Sequence, residues 1–133
     1  MLGLALPGRI FVCTLPTDMR KGFDTLACLV QEHLDRDPLS GDLFVFRSRR
    51  GDRLKLLYWD EDGYALWYKR LEAGTFALPV ADGRRQSAGE HGVVLRPAEL
   101  AMLLDGIDVS SARRRQRYQR PAAAACGAGQ AAR

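Results

Sequence analysis

The sequence predicts an α+β domain built on a mainly antiparallel sheet, and three observations carry that prediction. Apolar residues recur at helical spacing between Phe23 and Leu34; three strand-like segments separated by turn residues fill Asp42 to Leu71; and a second, shorter helical pattern follows Pro97. The expected order is β-α-β-β-β-α. It forms one small domain over residues 1–108, with helices on one face of the sheet, followed by a disordered tail over 109–133.

The first strand is "RIFVC", Arg9 to Cys13, rich in aromatic and β-branched residues. In "TLPTDMRKGFDTLACLVQEHLDRDP", Thr17 or Asp18 offers the short side-chain oxygen that accepts the orphan amides of a first helical turn. Phe23, Leu26, Ala27, Val30 and Leu34 then make one apolar stripe, expected against the sheet, and Pro38 and Gly41 bar continuation. "DLFVFR", "LKLLYW" and "YALWYKRL" read as a three-stranded meander. Its connections are Arg49 to Asp52 and "DEDG", where Gly63 is expected to supply the left-handed residue of a hairpin loop. After "GTFALP" and the polar loop "ADGRRQSAGEHG", Pro97 suits a first helical turn, Leu100, Leu103 and Leu104 an apolar side, and Gly106 a stop.

With 133 residues and 47% hydrophobic content, the chain has enough apolar material for one core. No apolar run approaches the ~20 residues of a bilayer span, and "MLGLALPGRIF" does not read as a signal peptide, so a cytoplasmic protein without membrane contact is expected. Cys13, Cys28 and Cys126 are odd in number and far apart, which fits neither a disulfide framework nor a metal pair. Cys13 and Cys28, in apolar contexts, read as small buried hydrophobes. The net charge of +4 is unevenly placed: residues 1–108 carry 14 Lys+Arg against 16 Asp+Glu, whereas 109–133 hold six arginines and no acid. The tail lacks the large apolar residues needed to offset chain entropy, and Arg-rich arms of this kind suit nucleic-acid backbones or plain solubility.

The densest cationic stretch inside the domain is "VFRSRRGDRLK". Arg47, Arg49, Arg50, Arg53 and Lys55 there, with Arg20 and Lys21 before the helix, are candidate contacts to DNA phosphates, since counterion release needs clustered cations but no fixed spacing. A solvated hairpin turn is the competing reading. Trp59, Trp67 and Tyr68, among the aromatics of the strand block, are candidate protein-docking residues. "DEDG" with Asp52 could supply carboxylates for a metal-dependent nuclease, but tight turns select the same residues, and no second carboxylate cluster or base accompanies them. His33 and His91 lack partners at nucleophile or zinc spacing, and "RGD" at Arg50 to Asp52 is a common turn tripeptide. The expectation is a non-enzyme without metal or other cofactor.

Three ordered blocks, "PTDMRKGFD", "GDLFVFRSRRGDRLKLLYWDEDGYALWYKRLEAGTF" and "ELAMLLDGID", resemble the small accessory protein called TnpB of insertion-sequence-66-like bacterial transposable elements, over about Ile10 to Asp108. The RNA-guided nucleases of the same name are a different family. The resemblance implies a role in transposition beside a separate transposase and other proteins of the same element, with no chemistry assigned to this subunit. Combined with the cations, it points to an accessory factor that contacts DNA, such as the element ends. The alternative is an adaptor that docks the transposase, through the aromatics or the Leu100 helix, without touching DNA itself.

Overall fold

The computed structural model describes residues 8–78 and 85–107, so the tail expected at 109–133 lies outside the described residues. Within them the elements are β1 (Ile10–Cys13), α1 (Phe23–Leu34), β2 (Leu43–Arg47), β3 (Arg53–Asp60), β4 (Gly63–Arg70), β5 (Gly92–Leu95) and α2 (Pro97–Leu104). The strands form one sheet in the order β4-β3-β2-β1-β5. β1 and β2 run parallel, joined by the crossover through α1, and every other neighbouring pair is antiparallel. The α+β class and the mainly antiparallel sheet are therefore as the sequence predicts. β5 is additional: four residues beside β1, with Ile10 opposite Leu95 and Cys13 opposite Gly92. So short a strand, running almost directly into a helix, leaves little periodicity to read.

The placement of the helices corrects the sequence reading, because they cover opposite faces of the sheet. Alternation along each strand sends Phe11, Cys13, Phe44, Phe46 and Leu57 toward Leu26, Val30 and Leu34 of α1. Ile10, Val12, Leu43, Val45, Leu54 and Leu56 point the other way, toward Phe76 and toward Leu100 and Leu103 of α2. β1 and β2 are thus buried on both sides, and their apolar runs "IFVC" and "LFVF" are the signature of a doubly covered strand.

Local chemistry departs from expectation at four points. Phe23 heads the α1 stripe yet is 46% exposed, at the first position of α1, next to the N-cap Gly22. Neither Thr17 nor Asp18 caps the helix; the Asp18 carboxylate accepts the Arg20 backbone N–H at 2.9 Å instead, in a turn of its own. Cys13 is buried as expected, but Cys28 sits on the outer side of α1 and is exposed. In the β3–β4 hairpin, Asp60 pairs with Gly63, leaving Glu61 and Asp62 as a two-residue loop. The left-handed residue is Glu61 (φ 55°), not Gly63.

Gly89 is a position where the fold depends on a missing side chain. Its φ is 67°, and a Cβ there would come within 2.5 Å of the His33 carbonyl oxygen, so the segment before β5 lies directly on the end of α1.

Candidate nucleic-acid interface

The β2–β3 connection is a tied turn. The Ser48 N–H donates to the Arg53 carbonyl (3.0 Å), and the Gly51 N–H to the Ser48 carbonyl (3.0 Å). The Ser48 hydroxyl accepts the Arg53 N–H (3.1 Å) and donates to Asp52 (3.3 Å). Gly51 takes the left-handed conformation (φ 81°) that closes the turn, and its carbonyl accepts the Phe76 N–H. The chain after β4 therefore buttresses the turn from below. Arg49 and Arg50 stand exposed at its tip, with their backbone fixed on both sides.

The other cations divide by strand alternation. Arg53 faces Arg70 across the β3–β4 pair, on the α1 side of the sheet. Arg53 donates to the Tyr68 hydroxyl at 3.3 Å, and the Tyr68 ring is 47% exposed. The Met19–Lys21 loop borders the same area and carries Arg20, whose side chain is 91% exposed. Arg20 forks onto Asp18, and that hydrogen bond holds the Asp18 carboxyl well below the usual carboxylate range and raises the Arg20 guanidinium. Such an exposed pair adds little to stability and leaves the guanidinium's outer side to solvent. The structure thus gathers Arg49, Arg50, Arg53, Arg70 and Arg20 around one end of the sheet, beside Tyr68. Arg70, which also pairs with Glu72 at 3.0 Å, belongs to this group although it lies outside the basic stretch that stands out in the sequence.

Two residues of the expected set do not present their charge. Lys55 is 6% exposed, and its ammonium donates to the Met19 and Lys21 carbonyls at 2.7 Å each, with the Tyr68 ring 4.7 Å away. It is an internal tie between β3 and the loop before α1. Arg47 points to the opposite face and donates to the Phe76 carbonyl at 2.7 Å, so it holds the buttress. Lys21 lends its carbonyl to Lys55, and its side chain is half-buried.

The proposed docking aromatics are split between the two faces of the sheet, Trp59 and Tyr68 on the α1 side and Trp67 on the other. Trp59 packs edge-on against Tyr64 (5.1 Å) on the α1 side, and Trp67 rests against the core on the α2 side, both half-buried. Tyr68 alone of the three is strongly exposed. The histidines do meet, with His33 and His91 rings 5.3 Å apart, a neighbourhood made by the Gly89 contact and invisible in the sequence spacing. Among the described residues, no group of three or more His, Cys, Asp or Glu side chains is arranged to hold a metal ion, and Asp60, Glu61 and Asp62 occupy the hairpin turn. None of the described helices is long and apolar enough to cross a membrane.

A sequence profile described as IS66 Orf2 like protein matches residues 8–114. The chain is 45% identical over 100 residues to the uncharacterized protein y4hO of Sinorhizobium fredii (strain NBRC 101917 / NGR234), covering 75% of this chain and 81% of that protein. It is 40% identical over 116 residues to the uncharacterized protein y4jC of the same organism, covering 86% of this chain and 92% of the relative. No solved structure matches it.

Proposed function

The chain belongs to the IS66 Orf2-like protein family, associated with transposition, and from that membership we propose that it is a non-enzymatic accessory factor that meets DNA phosphates through its arginine turn. The observation that carries this reading is the pair Arg49 and Arg50, exposed on a backbone tied by Ser48, Gly51 and Phe76 and flanked by Arg53, Arg70 and Arg20. A rigid backbone lowers the ordering cost of binding, and a phosphate strand needs only clustered cations. The partner chain on this reading is the element's transposase, with the element ends as DNA. An adaptor role without DNA contact is the second reading, favoured by the acidic balance of residues 1–108, since DNA-binding domains are usually basic.

Anisotropy titrations of the full chain on duplexes of the element ends, over a range of salt, test the first reading. Replacing Arg49 and Arg50 with Gln makes the slope of log affinity against log salt shallower by about 1.8, at ~0.9 per lost contact. An unchanged slope, or no DNA binding at about 50 mM salt while the transposase is still captured, moves the role to protein docking.

A further inference from the structure

The two edges of the sheet are treated differently. β5 is shielded: Ser87 bridges to Val93, and the Val94 N–H donates to the Gln86 carbonyl. β4, eight residues long, is the outermost strand at the opposite edge, and no strand pairs with its outer side among the described residues. Its bonding phase is fixed by the Leu71 N–H, which donates to the Asp52 carbonyl. In an antiparallel ladder this makes Tyr64, Leu66, Tyr68 and Arg70 the residues whose backbone N–H and C=O point away from β3. The edge contains no proline, and positive charge lies only at its C-terminal end. These are the conditions under which an open edge accepts another strand.

We propose that β4 pairs antiparallel with β4 of a second copy of this chain, joining two five-stranded sheets into one. The charge pattern selects that partner and direction. Glu61 and Asp62 lie at the start of the strand and Lys69 and Arg70 at its end, so antiparallel self-pairing brings acid to base at both ends, whereas parallel pairing sets like against like. With Leu66 on the two-fold axis, Tyr64 faces Tyr68 of the second copy and Asp62 faces Arg70. The outward backbone groups of Tyr64, Leu66 and Tyr68 then meet their counterparts in about six hydrogen bonds, two per facing pair. Sliding the register by two residues one way sets Asp62 against Glu72; sliding it the other way shortens the ladder. Such a contact is isologous and closes on itself as a dimer.

The test is sedimentation velocity of the full chain at about 1–100 µM, with circular dichroism confirming the fold of each variant. The wild type sediments as a dimer of a 14.8 kDa chain. Tyr68→Pro, which removes a donor that β3 does not use, gives a monomer. Asp62→Lys weakens dimerisation at least tenfold, and adding Arg70→Asp to it restores the dimer, a recovery that general destabilisation does not produce. A monomeric wild type at the highest concentration overturns the proposal and leaves the edge to a different protein. A dimer that withstands both Tyr68→Pro and Asp62→Lys places the interface elsewhere.

Discussion

Lys55 shows how far a residue's neighbours in sequence can mislead about its surroundings. In the run of cations it differs from Arg49 or Arg50 in nothing that composition reveals, yet it sits between Leu54 and Leu56 in a strand, where the pleat turns it under the Met19–Lys21 loop. There the two carbonyls satisfy an ammonium that burial alone would make costly. Lys55→Met keeps the length of the stem but strands both carbonyls, so folding stability falls by about 1–3 kcal/mol. Arg49→Gln stays within about 0.5 kcal/mol, as expected for an exposed side chain without partners among the described residues. Urea unfolding of both variants checks the contrast; equal stabilities would mean that Lys55 is a surface cation after all. The cluster of basic residues was legible in the sequence, but its division into presented arginines and internal ties was not. Burial at this site is set by the loop 34–36 positions upstream and the Phe76 segment 29 positions downstream.

At the scale of elements, the helix stripe, the three-stranded meander and the Pro97 start were all readable, because each rests on local periodicity or turn chemistry. β5 was not, and neither was the choice of sheet face for α2, since both depend on which chain segment covers the far side of β1 and β2. The start of α2 has its own tertiary tie. Glu99 accepts the Arg96 N–H (3.0 Å) and the Arg85 guanidinium (2.8 Å), and the Arg85 hydrogen bond holds the Glu99 carboxyl below its ordinary value of 4.5 against an opposing effect of burial. A carboxylate whose folded value is depressed contributes stability that is present above about pH 4.5 and is lost as the pH falls through the folded value. Glu99→Gln keeps an acceptor for Arg96 and removes the charge. The thermal midpoint of this variant lies below wild type at pH 7, and the gap closes as the pH drops toward about 3. A gap of constant size down to that pH would show that the charge on Glu99 is not what stabilises the helix start.

For the whole molecule, the arrangement of one sheet between two apolar layers raises the question of whether the layers unfold together. Leu26, Val30 and Leu34 hold one side and Leu100, Leu103 and Phe76 the other, but both lean on β1, β2 and β3, whose backbones are common to the two cores. Removing either layer exposes the inner face of strands that the other layer needs in register, so a single cooperative transition is expected. The chain carries its own reporters, because alternation puts Trp59 on the α1 side and Trp67 on the α2 side. Trp67→Phe leaves fluorescence to report on the first, and Trp59→Phe on the second. In each single-tryptophan protein, the urea midpoint from fluorescence coincides with that from far-ultraviolet circular dichroism. Leu26→Ala opens a cavity at a site with 0% exposure and costs about 2–5 kcal/mol. At a urea dependence of about 1–3 kcal/mol per molar, the midpoint moves down by roughly 0.7–5 M. Although Leu26 touches only the α1 side, that shift appears equally at Trp59 and at Trp67, which a molecule with independent layers would not show. A displaced Trp59 transition beside an unmoved Trp67 transition would mean that the α2 layer persists on its own and that the shared sheet does not couple the two cores.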